Sequence, residues 1–155
     1  MEKKHRPDGF HAITPQLSVE DAARAMDLYK KAFGAVEVAR VADPSGKKIW
    51  HAVMRIGDSL FFVNDVFPDM GGAPSRAQLW VYVPDVDALY KQAVGAGCTG
   101  KMPPADMFWG DRMANLGDAF GQSWTFATMV KEMTPEEQKR AGEEFIKNMQ
   151  AGKKP

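Results

Sequence analysis

The side chains that most often carry out chemistry are few in this sequence, and they are scattered. Its three histidines stand at positions 5, 11 and 51, so there is no His-x-x-x-His pair. Cys98 is the only cysteine, which excludes an internal disulfide bond and agrees with a cytoplasmic location. The histidine and cysteine side chains are therefore isolated from one another along the sequence. Of these, His51 is the candidate for a proton carrier near neutral pH.

The segment Met107–Arg112 combines large aromatic groups with two charged residues. Phe108 and Trp109 precede a predicted strand, where they could stack on a flat, apolar ligand or pack against a partner subunit. Arg112 could bind an anionic group or form a surface salt bridge. The segment thus predicts a loop that closes over a small molecule.

The composition indicates one domain that does not bind nucleic acid. The chain has 155 residues, 45% of them hydrophobic, and its 20 basic and 20 acidic residues balance. Because there is no sustained basic stripe, nucleic acid is not an expected partner. No run approaches the roughly 20 apolar residues of a membrane span, and the polar N-terminus lacks the apolar core of a signal peptide. We therefore expect a soluble, unexported protein that does not bind membranes.

Periodicity, turns and capping residues predict three helices and eight strands. The first helix follows Asp21, carries an apolar stripe and ends at Gly34. The second follows Asp85, and Thr134 with its following proline begins a third, which we expect to end near residue 150 and to pack as an appendage or against a partner subunit. Strands are predicted over residues 11–19, 36–41, 49–56, 59–65, 79–83, 99–102, 111–116 and 123–129.

Two landmarks recur at one spacing. The helix caps Asp21 and Asp85 are 64 residues apart, and the pattern Gly57-x-Ser59-x-x-Phe62 returns 64 residues later, from Gly121. This predicts an α+β fold of two tandem βαβββ modules, with paired mixed sheets forming a cavity, plus a C-terminal helix. The expected boundaries are a flexible arm over 1–9, modules over 10–66 and 77–131 joined by a linker over 67–76, and a helix and tail over 132–155, the modules forming one domain.

Several segments resemble one known group of proteins. They are residues 25–35, His51-Ala52 with residues 55–59, residues 83–87, and residues 110–112 followed by residues 118–121. Together they are similar to the glyoxalase/bleomycin-resistance-like branch of the vicinal oxygen chelate superfamily, which also includes dioxygenases. The resemblance implies paired βαβββ modules and often a homodimer. Members of that superfamily isomerise, cleave, conjugate or simply sequester their ligands, so function does not follow from the resemblance.

Enzymes of that superfamily hold a divalent metal ion with His and Glu at four strand positions. The resemblance places these positions on Thr14, Phe61, Gln78 and Thr125 in this sequence. Phe61 offers no donor atom, and neutral hydroxyl and amide oxygens bind such ions weakly. We therefore expect neither a metal ion nor another cofactor.

With this register, strand alternation assigns side chains to the inner face of the cavity. His51 and Asp111 then face one site, where His51 is either a proton carrier oriented by Asp111 or a hydrogen-bonded structural histidine. The candidate ligand-binding residues are Thr14, Gln16, His51, Phe61, Gln78, Trp80, Tyr82, Trp109, Asp111, Arg112, Met113 and Thr125.

Three classes of function remain. The first is a homodimeric binding protein that sequesters a hydrophobic or aromatic small molecule, such as an antibiotic, without metal. The second is a metal-dependent or His51-assisted lyase, isomerase or dioxygenase of the same superfamily. The third is an interaction module whose aromatic residues form an interface. The missing metal donors favour the first class.

Overall fold

The computed structural model describes residues 3–152, and it arranges them as two similar halves followed by a helix. The first half contains β1 (Gln16–Val19), α1 (Ala22–Phe33), β2 (Val36–Ala42), β3 (Ile49–Ile56) and β4 (Ser59–Asp65). The second contains β5 (Gln78–Tyr82), α2 (Val86–Gly95), β6 (Thr99–Asp106), β7 (Asp111–Gly117) and β8 (Ser123–Met129). A short 3-10 turn at Pro68–Met70 lies between the halves, and α3 (Pro135–Gln150) follows them.

Each half forms a four-stranded mixed sheet with the same topology. The strand orders are β1-β4-β3-β2 and β5-β8-β7-β6. The first strand of each half is parallel to the fourth, and the other neighbours are antiparallel. The predicted α+β fold with two βαβββ modules and a C-terminal helix is confirmed. We call the two halves the first and second modules.

The predicted capping residues begin and end the helices as the sequence indicates. The Asp21 side chain accepts a hydrogen bond from the Arg24 amide, and Asp85 accepts one from the Ala88 amide. Gly34 ends α1 with a φ of 67°, a left-handed conformation that glycine adopts without steric cost. Because local side chains fix these ends, the helix positions could be read from the sequence.

Two strands differ from the predicted length by more than one residue. β1 begins at Gln16 rather than at residue 11, and β6 extends to Asp106 rather than ending near residue 102. β6 includes Pro103 and Pro104, which lack the amide hydrogen that an inner strand needs. It lies at the edge of its sheet, and its pairing with β7 contains register shifts. An edge position thus accommodates prolines that looked like a strand end.

The two modules share one hydrophobic core. Tyr29 and Phe33 of α1 reach across to the second sheet, where ring centroids lie 5.2 Å (Tyr29–Trp124), 4.7 Å (Phe33–Trp124) and 4.8 Å (Phe33–Phe126) apart. All four residues are buried. The helix-facing sides of both sheets therefore meet in one core. The opposite faces, which we call the open faces, carry exposed side chains such as His51 and Tyr82.

One carboxylate fixes this contact between the modules. Asp118 Oδ2 accepts hydrogen bonds from Tyr29 Oη (2.7 Å) and Trp124 Nε1 (3.0 Å), and Oδ1 accepts bonds from the amides of Phe120 and Gln122. Burial and, secondarily, Asp118 raise the pKa of Tyr29 well above its usual range, so the phenol remains a hydrogen-bond donor. Asp118 thus satisfies polar groups that would otherwise be buried without partners.

The third helix begins with the predicted capping box. Thr134 Oγ1 accepts from the Glu137 amide, and Glu137 Oε2 accepts from the Thr134 amide. Residues 153–155, at the end of the predicted tail, lie outside the described residues. Among residues 3–152, no helix combines the length and the apolar character needed to cross a membrane.

Replacing Asp118 by alanine tests the contact between the modules. We expect Asp118→Ala to lower the free energy of unfolding by about 2–4 kcal/mol, because it leaves several donors without acceptors. The matched control is Asp58→Ala at the β3–β4 turn, where the carboxylate is exposed and its side-chain bond comes from neighbouring Ser59. The control should change stability by no more than about 0.5 kcal/mol. Urea unfolding measures both variants, and equal losses would contradict the assigned role.

Candidate functional site

A cleft lies between the two modules beside β5, an edge strand of the second sheet. Its volume is about 490 Å³, which is within the range of small-molecule sites. The N-terminal segment and the β3–β4 hairpin form one wall, and β5 forms the other. Thr14, Trp80 and Tyr82, all predicted ligand contacts, are among its lining residues.

Three aromatic side chains lie together where β5 meets the loop before β7. Trp80 is 46% exposed and Tyr82 is 64% exposed, although both belong to a strand. The ring centroids of Trp80 and Tyr82 are 6.2 Å apart, and those of Trp80 and Trp109 are 6.5 Å apart. We call Trp80, Tyr82 and Trp109, with Asp111 behind them, the aromatic site. Trp80 and Tyr82 belong to both the site and the cleft, so the two are continuous.

A buried carboxylate holds two of these rings in place. Asp111 is 5% exposed, and its Oδ2 atom accepts hydrogen bonds from Tyr82 Oη and Trp109 Nε1, both at 3.0 Å. Burial, followed by the bond to Asp111, raises the pKa of the Tyr82 phenol, which keeps it a donor. The aromatic rings are therefore positioned by a charged acceptor rather than by packing alone.

The C-terminal helix supports the loop that carries Trp109. The rings of Phe108 and Phe145 lie 5.4 Å apart, and Gln138 Nε2 donates a hydrogen bond to the carbonyl oxygen of Trp109 (3.2 Å). Gly142 allows this approach, because a Cβ there would lie 3.1 Å from the Phe108 ring. The sequence left the role of this helix open between an appendage and a partner contact. The structure packs it against the aromatic loop of its own chain.

Gly110 lets the same loop turn back towards the end of β8. Its φ is 103°, a conformation that favours glycine, and a Cβ at this position would collide with the carbonyl oxygen of Lys131. The carbonyl oxygen of Gly110 accepts bonds from the amides of Val130 and Lys131. These contacts fix the direction in which Trp109 leaves the loop.

Half of the predicted ligand contacts lie on one surface, the open face of the second sheet. Register shows this directly, since paired residues of neighbouring strands share a face. Trp80 pairs with Thr125, which pairs with Asn115, and Tyr82 pairs with Ala127, which pairs with Met113. The predicted residues on this face are Gln78, Trp80, Tyr82, Asp111, Met113 and Thr125.

The first module presents a different open face. Gln16 Nε2 donates to Asn64 Oδ1 at 2.9 Å, and Asn64 also bonds Ser18, so a polar group covers one end of the sheet. His51 is exposed and packs edge-on against Phe62, with ring centroids 4.6 Å apart. The hydrogen bonds to the Asp111 side chain come from Tyr82 and Trp109 instead. The structure therefore does not join His51 to Asp111 as a catalytic pair.

Two of the predicted ligand contacts, Phe61 and Arg112, lie away from the open faces. Phe61 pairs with Met54 on the core side, is buried against Tyr29 and Trp124, and only borders the floor of the cleft. The repeat landmark aligned Phe61 with Thr125, but the β3–β4 turn is shorter than the β7–β8 turn. Because strand faces alternate with every residue, such a difference moves a side chain to the other face. Phe62 holds the open-face position instead. Because residues 61–63 are all apolar, the sequence pattern could not show which of the two phenylalanines faces the core.

Arg112 forms ion pairs on the helix-facing side. Its Nε and Nη2 atoms bind both carboxylate oxygens of Asp87 in α2, at 2.7 and 2.9 Å, and Nη1 binds Asp106 at 3.2 Å. These bonds raise the pKa of the guanidinium further above its ordinary value. Arg112 thus forms the surface salt bridge that was one of its two predicted roles. Its side chain is not available to a ligand at the aromatic site.

The donor chemistry at the four metal positions does not fit a divalent ion. Phe61 carries no donor and faces the core, and Thr125 Oγ1 accepts a hydrogen bond from Asn115 Nδ2 at 2.6 Å. Thr14 and Gln78 offer neutral oxygens that bind such ions weakly. Within residues 3–152, no three His, Cys, Asp or Glu side chains cluster at a distance suited to a metal. No reaction step is therefore derived through a metal ion.

A family model and two curated relatives match this chain. Residues 9–126 match the family model of the Glyoxalase/Bleomycin resistance protein/Dioxygenase superfamily. The protein Rv0887c of Mycobacterium tuberculosis is 39% identical over 135 residues, covering 81% of this chain and 79% of its own length. The protein Mb0911c of Mycobacterium bovis has the same identity over 135 residues, covering 81% of this chain and 88% of its own length.

Solved structures share the fold. TioX from Micromonospora sp. ML1 is 26% identical, with a TM-score of 0.65, and the match covers 78% of this chain and all of TioX. A glyoxalase/bleomycin resistance protein/dioxygenase family enzyme from Burkholderia phytofirmans PsJN is 18% identical, with a TM-score of 0.61. That match covers 74% of this chain and 95% of the enzyme.

A larger residue at position 142 tests whether α3 supports the aromatic loop. We expect Gly142→Leu to displace Phe108 and to lower the free energy of unfolding by about 1–3 kcal/mol, although leucine favours a helix more than glycine does. Amide hydrogen exchange should become faster in residues 107–110 and 134–150. Glu143→Leu adds the same side chain at the next, exposed position and should leave both regions unchanged. Equal protection in the two variants would contradict the support role.

Proposed function

This chain belongs to the Glyoxalase/Bleomycin resistance protein/Dioxygenase superfamily, and on that premise we propose that it is a binding protein that sequesters an apolar or aromatic small molecule without a metal ion. The ligand lies on the aromatic site and extends into the cleft between the modules. The exposure of Trp80 and Tyr82 beside a concave cleft is the observation that carries this proposal.

The surroundings of the two rings support a ligand rather than an ordinary surface. Strand residues with large aromatic side chains normally bury them, since apolar area in contact with water costs roughly 25 cal/mol per Å². Here Asp111 and the loop before β7 hold Tyr82 and Trp109 in fixed positions. Ring positions fixed in advance reduce the entropy that a ligand must overcome on binding.

The arrangement supports binding more than turnover. A general base must lie within hydrogen-bond reach of the proton that it removes. Asp111 already accepts two bonds from protein groups, and His51 belongs to the other sheet, where it packs on Phe62. Within residues 3–152, neither residue is hydrogen-bonded to a Ser, Thr, Cys or Lys side chain.

We also propose that two copies of the chain associate. Apolar side chains remain exposed on both open faces, including Val36 and Val41 of the first sheet and Met129 of the second. Exposed apolar side chains on a sheet face are suited to an interface between two copies. Sedimentation equilibrium should give about twice the mass of the 17.1 kDa chain, with the monomer favoured by Val41→Lys. A single 17.1 kDa species at micromolar concentration would contradict this proposal.

A ligand screen tests the binding function. Thermal unfolding should shift upwards with apolar aromatic compounds, including aromatic antibiotics, because a ligand that binds only the folded state stabilises it. Divalent ions should cause no shift, and elemental analysis should find no stoichiometric metal. Stoichiometric metal, or turnover of a screened compound, would overturn the proposal in favour of an enzyme.

Two tryptophans of similar exposure provide the matched variants. Trp80→Ala should weaken binding of a hit from that screen by about tenfold or more, since stacking on Trp80 is lost. Trp50 is 49% exposed, close to the 46% of Trp80, but it lies on the first sheet. Trp50→Ala should therefore leave the dissociation constant within about twofold. Intrinsic fluorescence titration measures both, and an equal loss would show that the ligand does not use the aromatic site.

A further inference from the structure

The aromatic site has a feature that stacking on a flat, neutral ligand does not require. Trp80 is tilted by 52° from Tyr82 and by 51° from Trp109. Rings inclined in this way enclose a corner rather than a parallel-sided slot. A rounded group with several methyls contacts more than one ring face in such a corner, whereas a flat ring stacks well on only one.

The charge behind the rings is negative and is not balanced locally. Asp111 is almost fully buried, and the ion pairs formed within residues 3–152 do not include it. Its neighbour Arg112 points to the opposite side of the sheet, where Asp87 and Asp106 bind it. The Asp111 carboxylate instead accepts hydrogen bonds from two neutral groups, the Tyr82 hydroxyl and the Trp109 indole.

The two hydrogen bonds hold the edges of the Tyr82 and Trp109 rings next to this negative charge. Aromatic faces carry negative electrostatic potential, and they attract a cation within about 6 Å of the ring centroid. A phenol or an indole that donates to a carboxylate lies with its edge towards the negative charge, so its face and the carboxylate attract the same cation. An anion would meet repulsion from both. These groups therefore favour a cationic ligand over an anionic one.

We propose that the aromatic site selects an organic cation, namely an alkylated ammonium group carried on an apolar or aromatic body. The ammonium group lies in the corner between Trp80, Tyr82 and Trp109, near Asp111, and the body of the molecule extends into the cleft. This inference rests on the proposed binding function and specifies its ligand class. The partial exposure of Trp80 and Tyr82 leaves the corner accessible.

Two probes of equal shape and different charge test this inference. They are 4-hydroxyphenyltrimethylammonium and 4-tert-butylphenol, which differ by a cationic nitrogen in place of a neutral carbon. In calorimetric titrations of the full chain, the cation should bind at least tenfold more tightly at low salt. The preference should shrink as ionic strength rises, because salt screens a partly exposed charge.

Matched carboxylate variants locate the source of the preference. Asp111→Asn keeps an acceptor oxygen but removes the charge, so it should bring the two dissociation constants to within about threefold of each other. Asp106→Asn changes a carboxylate on the Arg112 side of the sheet and should keep the full preference. If Asp111→Asn does not fold, the wild-type comparison of the two probes still decides the question.

The outcomes separate the two proposals. If 4-tert-butylphenol binds as tightly as the cation, or if Asp111→Asn retains the preference, cation selection is wrong and the binding function stands. If neither probe binds and the wider screen gives no hit, both proposals fail. Tighter binding of the cation that depends on Asp111 supports both.

Discussion

The contact between α1 and the second sheet determines how the rest of the molecule is arranged. Tyr29 and Phe33 belong to the first module, yet their rings pack on Trp124 and Phe126 of the second. Asp118 adds direction to this apolar contact by accepting bonds from one residue of each module. Once the helix-facing sides of both sheets are joined in this core, the opposite faces are left open, and any ligand site has to form there or in the cleft between the modules.

The two modules share a topology but present different surfaces. The open face of the first carries the hydrogen-bonded group Gln16, Ser18 and Asn64, whereas that of the second carries Trp80 and Tyr82. Only the second module is followed by a helix that packs on the loop before its third strand. The two modules thus carry a hydrogen-bonded polar group on one open face and an aromatic group on the other, and the aromatic group has the support that a preformed site needs.

The same fold accommodates catalysis or binding, so the side chains decide between them. At the positions where related enzymes hold a metal ion, this chain offers hydroxyl, amide and aromatic groups. Its buried carboxylate at Asp111 accepts hydrogen bonds from two aromatic side chains. Hydrogen bonding, stacking and the field of one buried charge are therefore the interactions that the proposed ligand site would use.

The sequence by itself determined the helices, most strand positions, the repeat and much of the aromatic site. Caps such as Asp21 and Asp85 act on the next few residues, and alternation along β5 separates Trp80 and Tyr82 from Leu79 and Val81, so both are local signals. Trp109 and Asp111 could also be placed near that face.

Only the tertiary structure decided the remaining features. The register of β4 with its neighbours turns Phe61 to the core and Phe62 to the open face. Alignment of the repeats misplaced Phe61 because the two hairpin turns differ in length and a shift of one residue reverses the faces of a strand. Arg112 binds Asp87, and α3 packs on Phe108, through contacts between residues distant in the chain. Local periodicity determines which side chains share a surface, but what covers that surface depends on packing between elements, which no local pattern records.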